Sequence, residues 1–365
     1  MSRPRARDLG VVVGTLPPGP NNAITDVDGV RVGHTTLIEG DGALRVGHGP
    51  VRTGVTVVAP PLEPGEALFG GFHSLNGNGD MTGVLWLDES GLLSTPIAIT
   101  NTHSVGVVRD AIVAAEARQR GDRELFWSMP VVAETFDGLL NDMNGQHVRP
   151  EHLFAALDGA AGGPVAEGNV GGGTGMICHE FKGGIGTSSR VVESGGQRFT
   201  VGVLVQANYG ARERLTICGV PVGRSVPKSE FPSPYDEAPA TDPETGSIIV
   251  VLATDAPLLP HDCRALAQRA GLGIARVGGG GGRSSGDIFV AFATGNRLRA
   301  IESRPTREVT MVGDDLLSPL YWGAIESTEE AIINALVAAE TMVGRDGMTA
   351  HALPHDRLRA LFATA

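Results

Sequence analysis

A glycine and a serine, Gly246 and Ser247, stand where a polar segment meets a run of apolar residues. The segment 227–245 is rich in Pro, Ser, Asp and Glu, and the run 248–252 reads Ile-Ile-Val-Val-Leu, which predicts a buried strand. A self-cleaving precursor needs this arrangement at the peptide bond that it breaks. If the Gly246–Ser247 bond breaks, Ser247 becomes a chain start that carries a nucleophilic hydroxyl and its own basic amine.

Polar side chains also stand at the ends of two other strand-like runs. Ser285 and Asp287 directly precede the apolar run 288–292, and alternation along a strand would put both on one face, where they could orient a nucleophile and hold a cationic amine. A turn with an Asx-type hydrogen bond is the alternative. Asn208 closes the run 199–207, and its amide could donate to an oxyanion, although an Asn-x-Gly step also suits a simple turn.

Two carboxylates flank an aromatic ring in the segment Glu134–Asp137, which reads Glu-Thr-Phe-Asp. Glu134 and its neighbours could line a pocket for an ammonium group. The same segment would serve equally well as a solvated turn, and the sequence leaves both interpretations open.

The remaining motifs argue against a metal ion or an organic cofactor. The histidines are scattered and no HExxH pattern occurs, so we expect no metal site. The glycine runs 171–175 and 278–282 do not match the GxxxxGK[ST] pattern of a phosphate loop, and we expect backbone turns near a crowded site. No GxSxG elbow occurs, which disfavours an α/β-hydrolase triad.

Composition limits the classes of binding partner and the cellular compartment that we expect for this protein. The formal net charge of −12 argues against nucleic acid or an anionic membrane surface as the main partner. The three cysteines form no CxxC pair and suit a reducing compartment. No signal peptide and no apolar span of about 18 residues is recognisable, so the expected location is the cytoplasm.

Hydrophobic periodicity predicts the elements that must position these residues. Strands are predicted at 54–59, 92–100, 199–207, 247–253 and 287–294. Helices are predicted at 105–119 with Ser104 as its cap, at 150–157, at 261–270, and at 327–342 with Thr328 as its cap and acidic residues in its first turn. The Asp28-Gly29 step predicts a hairpin between 24–27 and 30–32. The order of elements is not a regular βαβ alternation, which favours an α+β fold.

One boundary interrupts this pattern. The segment 225–245 holds five prolines and has neither a helical nor a strand period. We interpret it as an exposed connector, which is either an ordinary surface loop or a processing linker.

Taken together, the motifs resemble the DmpA-type family of self-processing aminopeptidases, which comprises L-aminopeptidase/D-amidase/D-esterase and β-peptidyl aminopeptidase. The matching segments follow one order along nearly the whole chain: 22–27, 29–34, 101–106, 131–135, 171–176, 205–208, 246–249 and 285–289. The resemblance implies a four-layer αββα sandwich forming a single catalytic domain, 1–365. It also implies cleavage into parts 1–246 and 247–365, with 225–245 as the processing linker, and a homotetramer of such heterodimers.

The resemblance also assigns roles to residues. It implies that Ser247 is the nucleophile, that Asn208 binds the oxyanion and that Ser285 assists the nucleophile. Asp287 stands where the family often has Glu, one methylene longer. The substrate that the resemblance implies is a small peptide, amide or ester with a free amino group.

Two positions in the segment after residue 130 bear on the substrate. Glu134 falls where a family member contacts the substrate amine. Phe136 falls where a relative has a tyrosine, so a role of that phenol in catalysis is lost here.

Two other functions compete with this interpretation. Ornithine acetyltransferases share a related self-cleaving fold but use a Thr nucleophile, whereas this chain has Ser247. A non-enzymatic binding protein would keep its backbone intact and would run as one band of full length on a denaturing gel.

Overall fold

The computed structural model describes residues 3–120, 125–236, 246–299 and 305–363. The strands are β1 (Arg31–Glu39), β2 (Val51–Ala59), β3 (Glu66–Ser74), β4 (Leu92–Leu93), β5 (Ile97–Asn101), β6 (Val131–Thr135), β7 (Ile177–Cys178), β8 (Phe181–Lys182), β9 (Gly184–Ser194), β10 (Gln197–Asn208), β11 (Ser247–Thr254), β12 (Ile288–Arg299), β13 (Met342–Val343) and β14 (Thr349–Ala350). The α-helices are α1 (Val84–Ser90), α2 (Val105–Arg120), α3 (Pro150–Asp158), α4 (Val222–Ser225), α5 (Pro260–Arg276), α6 (Asp314–Ala338) and α7 (His355–Phe362).

The smaller of two main sheets has four strands in the order β1-β2-β5-β6. Helices α2 and α3 cover its outer face, where Val57 and Ala98 of the sheet join Ile112 and Leu153 of the helices in one core cluster. Every residue of β2 is buried because both faces of this central strand are covered.

The larger sheet has six strands in the order β4-β3-β12-β11-β10-β9. Its pairs are antiparallel except β11 and β12, which are parallel and are joined through α5. Helices α5 and α6 cover its outer face. Helix α6 approaches β9 so closely that a Cβ on Gly186 would lie 1.9 Å from the carbonyl oxygen of Ala331.

Strand β11 is a continuous apolar run because its two faces belong to two cores. Val250 and Leu252 point into the cluster shared with α5 and α6. Ile249 and Val251 point into a second cluster, which also holds Ile99 of the smaller sheet and so lies between the two sheets. The layers are therefore helices, sheet, sheet, helices, and the prediction of a four-layer α+β sandwich is confirmed.

Several predicted elements begin or end elsewhere in the structure. The last long helix, α6, begins at Asp314 rather than Ser327. Thr328 is not a cap, because it lies mid-helix and its hydroxyl donates to the Ala324 carbonyl at 2.7 Å. Glu329 and its acidic neighbour at 330 are buried in mid-helix instead of lying in a first turn.

Two other local predictions are wrong. Residues Ile24–Asp26 form a single 3₁₀ turn rather than a strand, so the Asp28-Gly29 step leads into β1 and closes no hairpin. Ser104 ends a 3₁₀ turn, Thr102–Ser104, and its buried hydroxyl makes no hydrogen bond to the described residues, so it does not cap α2.

The predicted linker, 225–245, is exposed only in part. Residues 237–245 lie outside the described residues. Before them, Ser233 and Tyr235 are buried, and Tyr235 packs in a small apolar cluster with Leu139 and Met348. The prediction of an exposed connector is therefore wrong for this anchored stretch. Among the described residues, no helix is long and apolar enough to cross a membrane.

Candidate active site

The strand ends of the larger sheet bring the predicted site residues together. Ser247 begins β11 and lies directly opposite Asn208, the last residue of β10, in an antiparallel pair. Facing residues in such a pair have Cβ atoms about 4.5–5.5 Å apart. Because β12 runs parallel to β11, Ser285 and Asp287 arrive at the same edge, just before Ile288 begins the strand.

The backbone before Ser247 is held in one conformation. The carbonyl oxygen of Gly246 accepts a hydrogen bond from the Gly286 N–H at 3.2 Å. A Cβ on Gly246 would lie 2.3 Å from the Asn208 carbonyl oxygen and 2.5 Å from the Tyr209 Cα, both of them backbone atoms. Only glycine fits here, and the donor polarises the carbonyl that precedes Ser247.

The Asn208 amide is oriented by two backbone groups. Its Oδ1 accepts from the Ile177 N–H at 2.8 Å, and its Nδ2 donates to the Phe136 carbonyl at 2.9 Å. An asparagine amide has two N–H donors, so one remains after the bond to Phe136. Asn208 is buried, and this second donor is on the residue that faces Ser247 across the strand pair.

Ser285 and Asp287 form one hydrogen-bonded unit. The Ser285 hydroxyl donates to Asp287 Oδ1 at 2.6 Å, and the Ile248 N–H donates to the same oxygen at 3.2 Å. The link to Ile248 places the carboxyl group beside the residue that follows Ser247. Burial raises the pKa of Asp287 above its ordinary value, although the bonds from Ser285 and Asn76 oppose the rise.

Asn76 is a residue that sequence reasoning missed. Its Nδ2 donates to Asp287 Oδ2 at 2.8 Å, and its Oδ1 accepts from the Asp287 N–H at 2.6 Å. Nearby, Asn78 donates from its side chain to the Ser284 carbonyl at 2.7 Å. The only signal in the sequence is the Asn-Gly-rich turn after β3, which reads as an ordinary loop.

Glu134 lies near the end of β6 on the opposite sheet and is buried. Its Oε1 accepts from the Asp80 N–H at 3.1 Å, and its Oε2 accepts from the Thr102 hydroxyl. Burial raises the pKa of Glu134 above its ordinary value, and the hydrogen bonds only partly offset this effect. The solvated-turn interpretation is therefore wrong for Glu134.

A cavity of about 330 Å³ joins the residues from both sheets. It is lined by Asn78, Thr102, Glu134, Phe136, Leu139, Tyr235, Gly246, Ser247 and Ser284. The cavity has a carboxylate and the candidate nucleophile in its wall, together with the apolar side chains of Phe136, Leu139 and Tyr235. Ser285 and Asp287 do not line this cavity; they border a smaller one of about 130 Å³ beside Tyr209.

The comparisons with known proteins identify a family for this arrangement. The model of "Peptidase family S58" matches residues 22–350. The beta-peptidyl aminopeptidase BapA of Sphingosinicella microcystinivorans is 52% identical over 367 residues, which cover 98% of this chain and 91% of that protein.

Two solved structures have the same fold. A beta-aminopeptidase of Burkholderia sp. superposes with a TM-score of 0.88 at 53% identity, covering 99% of both chains. The L-aminopeptidase D-Ala-esterase/amidase of Ochrobactrum anthropi superposes with a TM-score of 0.90 at 47% identity, again over 99% of both chains. That enzyme is described as a prototype of the serine aminopeptidases and as a variant of the Ntn hydrolase fold.

Proposed function

The chain belongs to peptidase family S58 and is a hydrolase of the aminopeptidase type, and on this premise we propose that Ser247 is its nucleophile and that the chain cuts itself before this residue. The observation that carries the proposal is the position and the contacts of the Gly246–Ser247 peptide. No residue larger than glycine fits at position 246, and the Ser247 that follows lines the cavity. The Gly286 N–H donates to the Gly246 carbonyl.

Self-cleavage begins with attack of Ser247 Oγ on the carbonyl carbon of Gly246. The C–N bond breaks, the nitrogen takes up the hydroxyl proton and becomes the α-amine of Ser247, and an ester joins Gly246 to Oγ. Water hydrolyses this ester, which leaves a carboxylate on Gly246 and restores the hydroxyl. The Gly286 N–H, 3.2 Å from the carbonyl oxygen, stabilises the negative charge that forms there.

The freed amine then serves as the base for substrate turnover. An α-amine has a reference pKa of about 7.7–8.0, so near neutral pH it can take the proton from the Ser247 hydroxyl as the acyl carbon is attacked. The unused N–H of Asn208 donates to the oxyanion. Ser285, held by Asp287, orients the nucleophile and its proton. The bond between the acyl carbon and the leaving amine or alcohol breaks, and the leaving group takes the proton from the Ser247 α-amine. Water then hydrolyses the acyl ester on Ser247 and releases a free acid.

Substrate binding follows from the walls of the cavity. Glu134 receives the free amino group of a small peptide, amide or ester, because a buried carboxylate favours a cation. Phe136, a residue that is 43% exposed, offers apolar contact and has no phenol to donate a proton. The names of two relatives make N-terminal β-aminoacyl compounds one class of substrate to test beside α-aminoacyl compounds.

The processed protein is a heterodimer of 1–246 and 247–365 around one catalytic domain, with the linker 225–245 ending at the cut. We further propose that four such heterodimers assemble, that the enzyme uses no metal or organic cofactor and that it works in the cytoplasm. None of the relatives named above is an acyltransferase, so no observation favours the acetyltransferase alternative.

A substrate panel with two Ser247 variants tests the proposal. Aminoacyl p-nitroanilides with α- and β-amino acids are offered to the wild type, to Ser247→Ala and to Ser247→Cys. We expect Ser247→Ala to remain one chain without activity, whereas Ser247→Cys keeps a nucleophile and still splits. A Ser247→Ala protein that hydrolyses the panel would refute the assignment. Acetyl transfer from acetylornithine to glutamate, in place of hydrolysis, would favour the alternative.

A further inference from the structure

A lysine that has no part in the chemistry above lies completely buried beside the site. Lys182 is 0% exposed, and its ammonium donates to three backbone carbonyls, those of Met176 at 2.7 Å, Gly183 at 2.8 Å and Gly173 at 3.2 Å. Within the described residues no carboxylate pairs with it. Burying an unpaired charge is expensive, so a residue of this kind requires an explanation.

The hairpin formed by β7 and β8 sets the position of Lys182. Lys182 pairs directly with Ile177 across this hairpin. The turn between β7 and β8 consists of His179 and Glu180, whose backbones lie in the left-handed region with φ of 48° and 63°. The short hairpin therefore fixes the lysine beside Ile177, the residue that orients the oxyanion-binding asparagine.

One peptide group connects the lysine with Asn208. The ammonium of Lys182 holds the oxygen of the Met176–Ile177 peptide at 2.7 Å, and the N–H of the same peptide donates to Asn208 Oδ1 at 2.8 Å. Hydrogen bonds in such a chain polarise one another, so a cation at the oxygen strengthens donation by the N–H.

We propose that Lys182 is a positioning residue for catalysis, which acts through the Met176–Ile177 peptide to hold the Asn208 amide with its free N–H toward the oxyanion. This inference rests on the proposed role of Asn208. The three carbonyls match the three N–H donors of an ammonium ion. A side chain without these donors would leave the carbonyls unsatisfied. Burial lowers the pKa of Lys182 to about 7, so the charge is held at an energetic cost.

The backbone supplies part of the same support. The Gly183 N–H also donates to the Met176 carbonyl, at 2.9 Å. Loss of the lysine should therefore weaken the orientation of the peptide rather than abolish it. Removing an oxyanion donor outright lowers kcat by about 10²–10³-fold, and we expect the loss of Lys182 to cost about tenfold.

A double-mutant cycle tests the proposal. Lys182→Met keeps the side-chain volume but removes all three donors, and Lys182→Gln restores two donors without the charge. Each change is made in the wild type and in Asn208→Ala, and kcat is normalised to the amount of chain that begins at Ser247. We expect Lys182→Met to lower kcat about tenfold at unchanged KM, Lys182→Gln to recover part of the loss, and neither change to lower kcat further in Asn208→Ala.

The outcomes separate this inference from the function on which it rests. A tenfold loss in both the wild type and Asn208→Ala would show a merely structural lysine and would overturn the proposal, as would an unchanged kcat in Lys182→Met. If Asn208→Ala itself keeps full kcat, the oxyanion role fails and this inference fails with it. Cys263→Ala is the control for loss of a buried side chain, because Cys263 is also 0% exposed but lies on α5, where its thiol contacts the Phe69 carbonyl.

Discussion

Glu134 lies in the wall of the cavity, where we propose that its carboxylate binds the substrate amine. Its side chain accepts hydrogen bonds from the Asp80 N–H and from Thr102, and burial still raises its pKa above 4.5. Burial therefore makes ionisation of this carboxyl group costly, and an ammonium group in the cavity would offset that cost.

Glu134→Gln removes this charge while preserving the shape of the side chain. We expect KM to rise about thirtyfold, equivalent to about 2 kcal/mol for a buried charge pair that loses one partner. In the wild type, KM should also rise as the pH falls through the raised pKa of Glu134, because protonation neutralises the carboxylate. Steady-state kinetics of both proteins from acid to neutral pH measure this. A variant with the wild-type pH profile would contradict the role of Glu134.

The residues of the site differ in how well the sequence predicts them. Ser247 is identified by its neighbours, because a glycine before it and a buried strand after it are visible in the printed sequence. The pairing of Ser285 with Asp287 follows from their spacing. Asn76 could not be predicted, because it contacts Asp287 only after β3 and β12 pair, and their antiparallel pairing is a long-range event.

At the scale of elements, the end of β10 and the start of β11 position the Gly246–Ser247 peptide bond, which we propose is the one that is cut. Gly246 lies against the backbone of Asn208 and Tyr209, and the alternation of β11 carries Ser247 on the face that points between the sheets. Strand pairing thus contributes directly to the geometry of the Gly246–Ser247 peptide.

Gly246→Ala tests this dependence. The added methyl group would lie 2.3 Å from the Asn208 carbonyl oxygen, so we expect the peptide to shift away from the Gly286 N–H and self-cleavage to slow by at least about tenfold. The fraction of split chain, followed on denaturing gels, measures the rate. Gly313→Ala is the control, because a Cβ there has no atom within 4 Å. Equal rates of splitting in the two variants would contradict the account.

The prediction of elements succeeded where one periodicity dominated and failed where burial was complete. Helix α2 has an apolar stripe, and its predicted end lies within one residue of the observed end. Helix α6 is buried nearly all round over its second half, and Pro319 interrupts its first half, so its true start at Asp314 is hidden from pattern reasoning. The 3₁₀ turn Ile24–Asp26 looks like part of a strand because Ile24 and the next apolar residue, Val27, both pack in the core.

At the scale of the whole molecule, buried ion pairs connect the two parts that cleavage would separate. Glu330 of α6 forms ion pairs with Arg7 at 2.8 Å and with Arg190 of β9 at 2.6 Å. Both arginines precede the proposed cut, whereas Glu330 follows it. Burial raises the pKa of Glu330, but Arg7 and Arg190 outweigh this effect and the net pKa is lowered from 4.5.

Glu330→Gln removes the charged partner of Arg7 and one of the two charged partners of Arg190, which keeps Glu326 at 3.1 Å. Breaking a buried pair costs about 3–5 kcal/mol, so we expect a lower Tm with kcat unchanged at 25 °C. In the wild type this stabilisation is complete above pH 4.5 and is lost as the pH falls through the lowered pKa of Glu330, because the carboxylate is then protonated.

Thermal unfolding of the cleaved protein measures the effect. Glu340→Gln is the matched control, since Glu340 is 65% exposed beside Arg3, and a surface pair contributes about 0–1 kcal/mol. A Glu330→Gln protein as stable as this control would contradict a role of the buried pairs in holding the two parts together.

The layered architecture of the whole molecule was predicted through the resemblance rather than through periodicity. The predicted strands and helices alone favour an α+β fold, because their order along the chain is not a regular alternation. The number of layers depends on which faces of β11 meet which cores, and a strand buried on both sides reads as a uniform apolar run.

The central claim is that Ser247 becomes an N-terminus. N-terminal sequencing of the purified, active protein tests it most directly, with Ser247→Ala analysed beside it. The account predicts two sequences in equal amounts from the wild type, one from the start of the chain and one reading Ser-Ile-Ile-Val, and only the first from Ser247→Ala. Full aminopeptidase activity in a preparation that yields only the first sequence would contradict it.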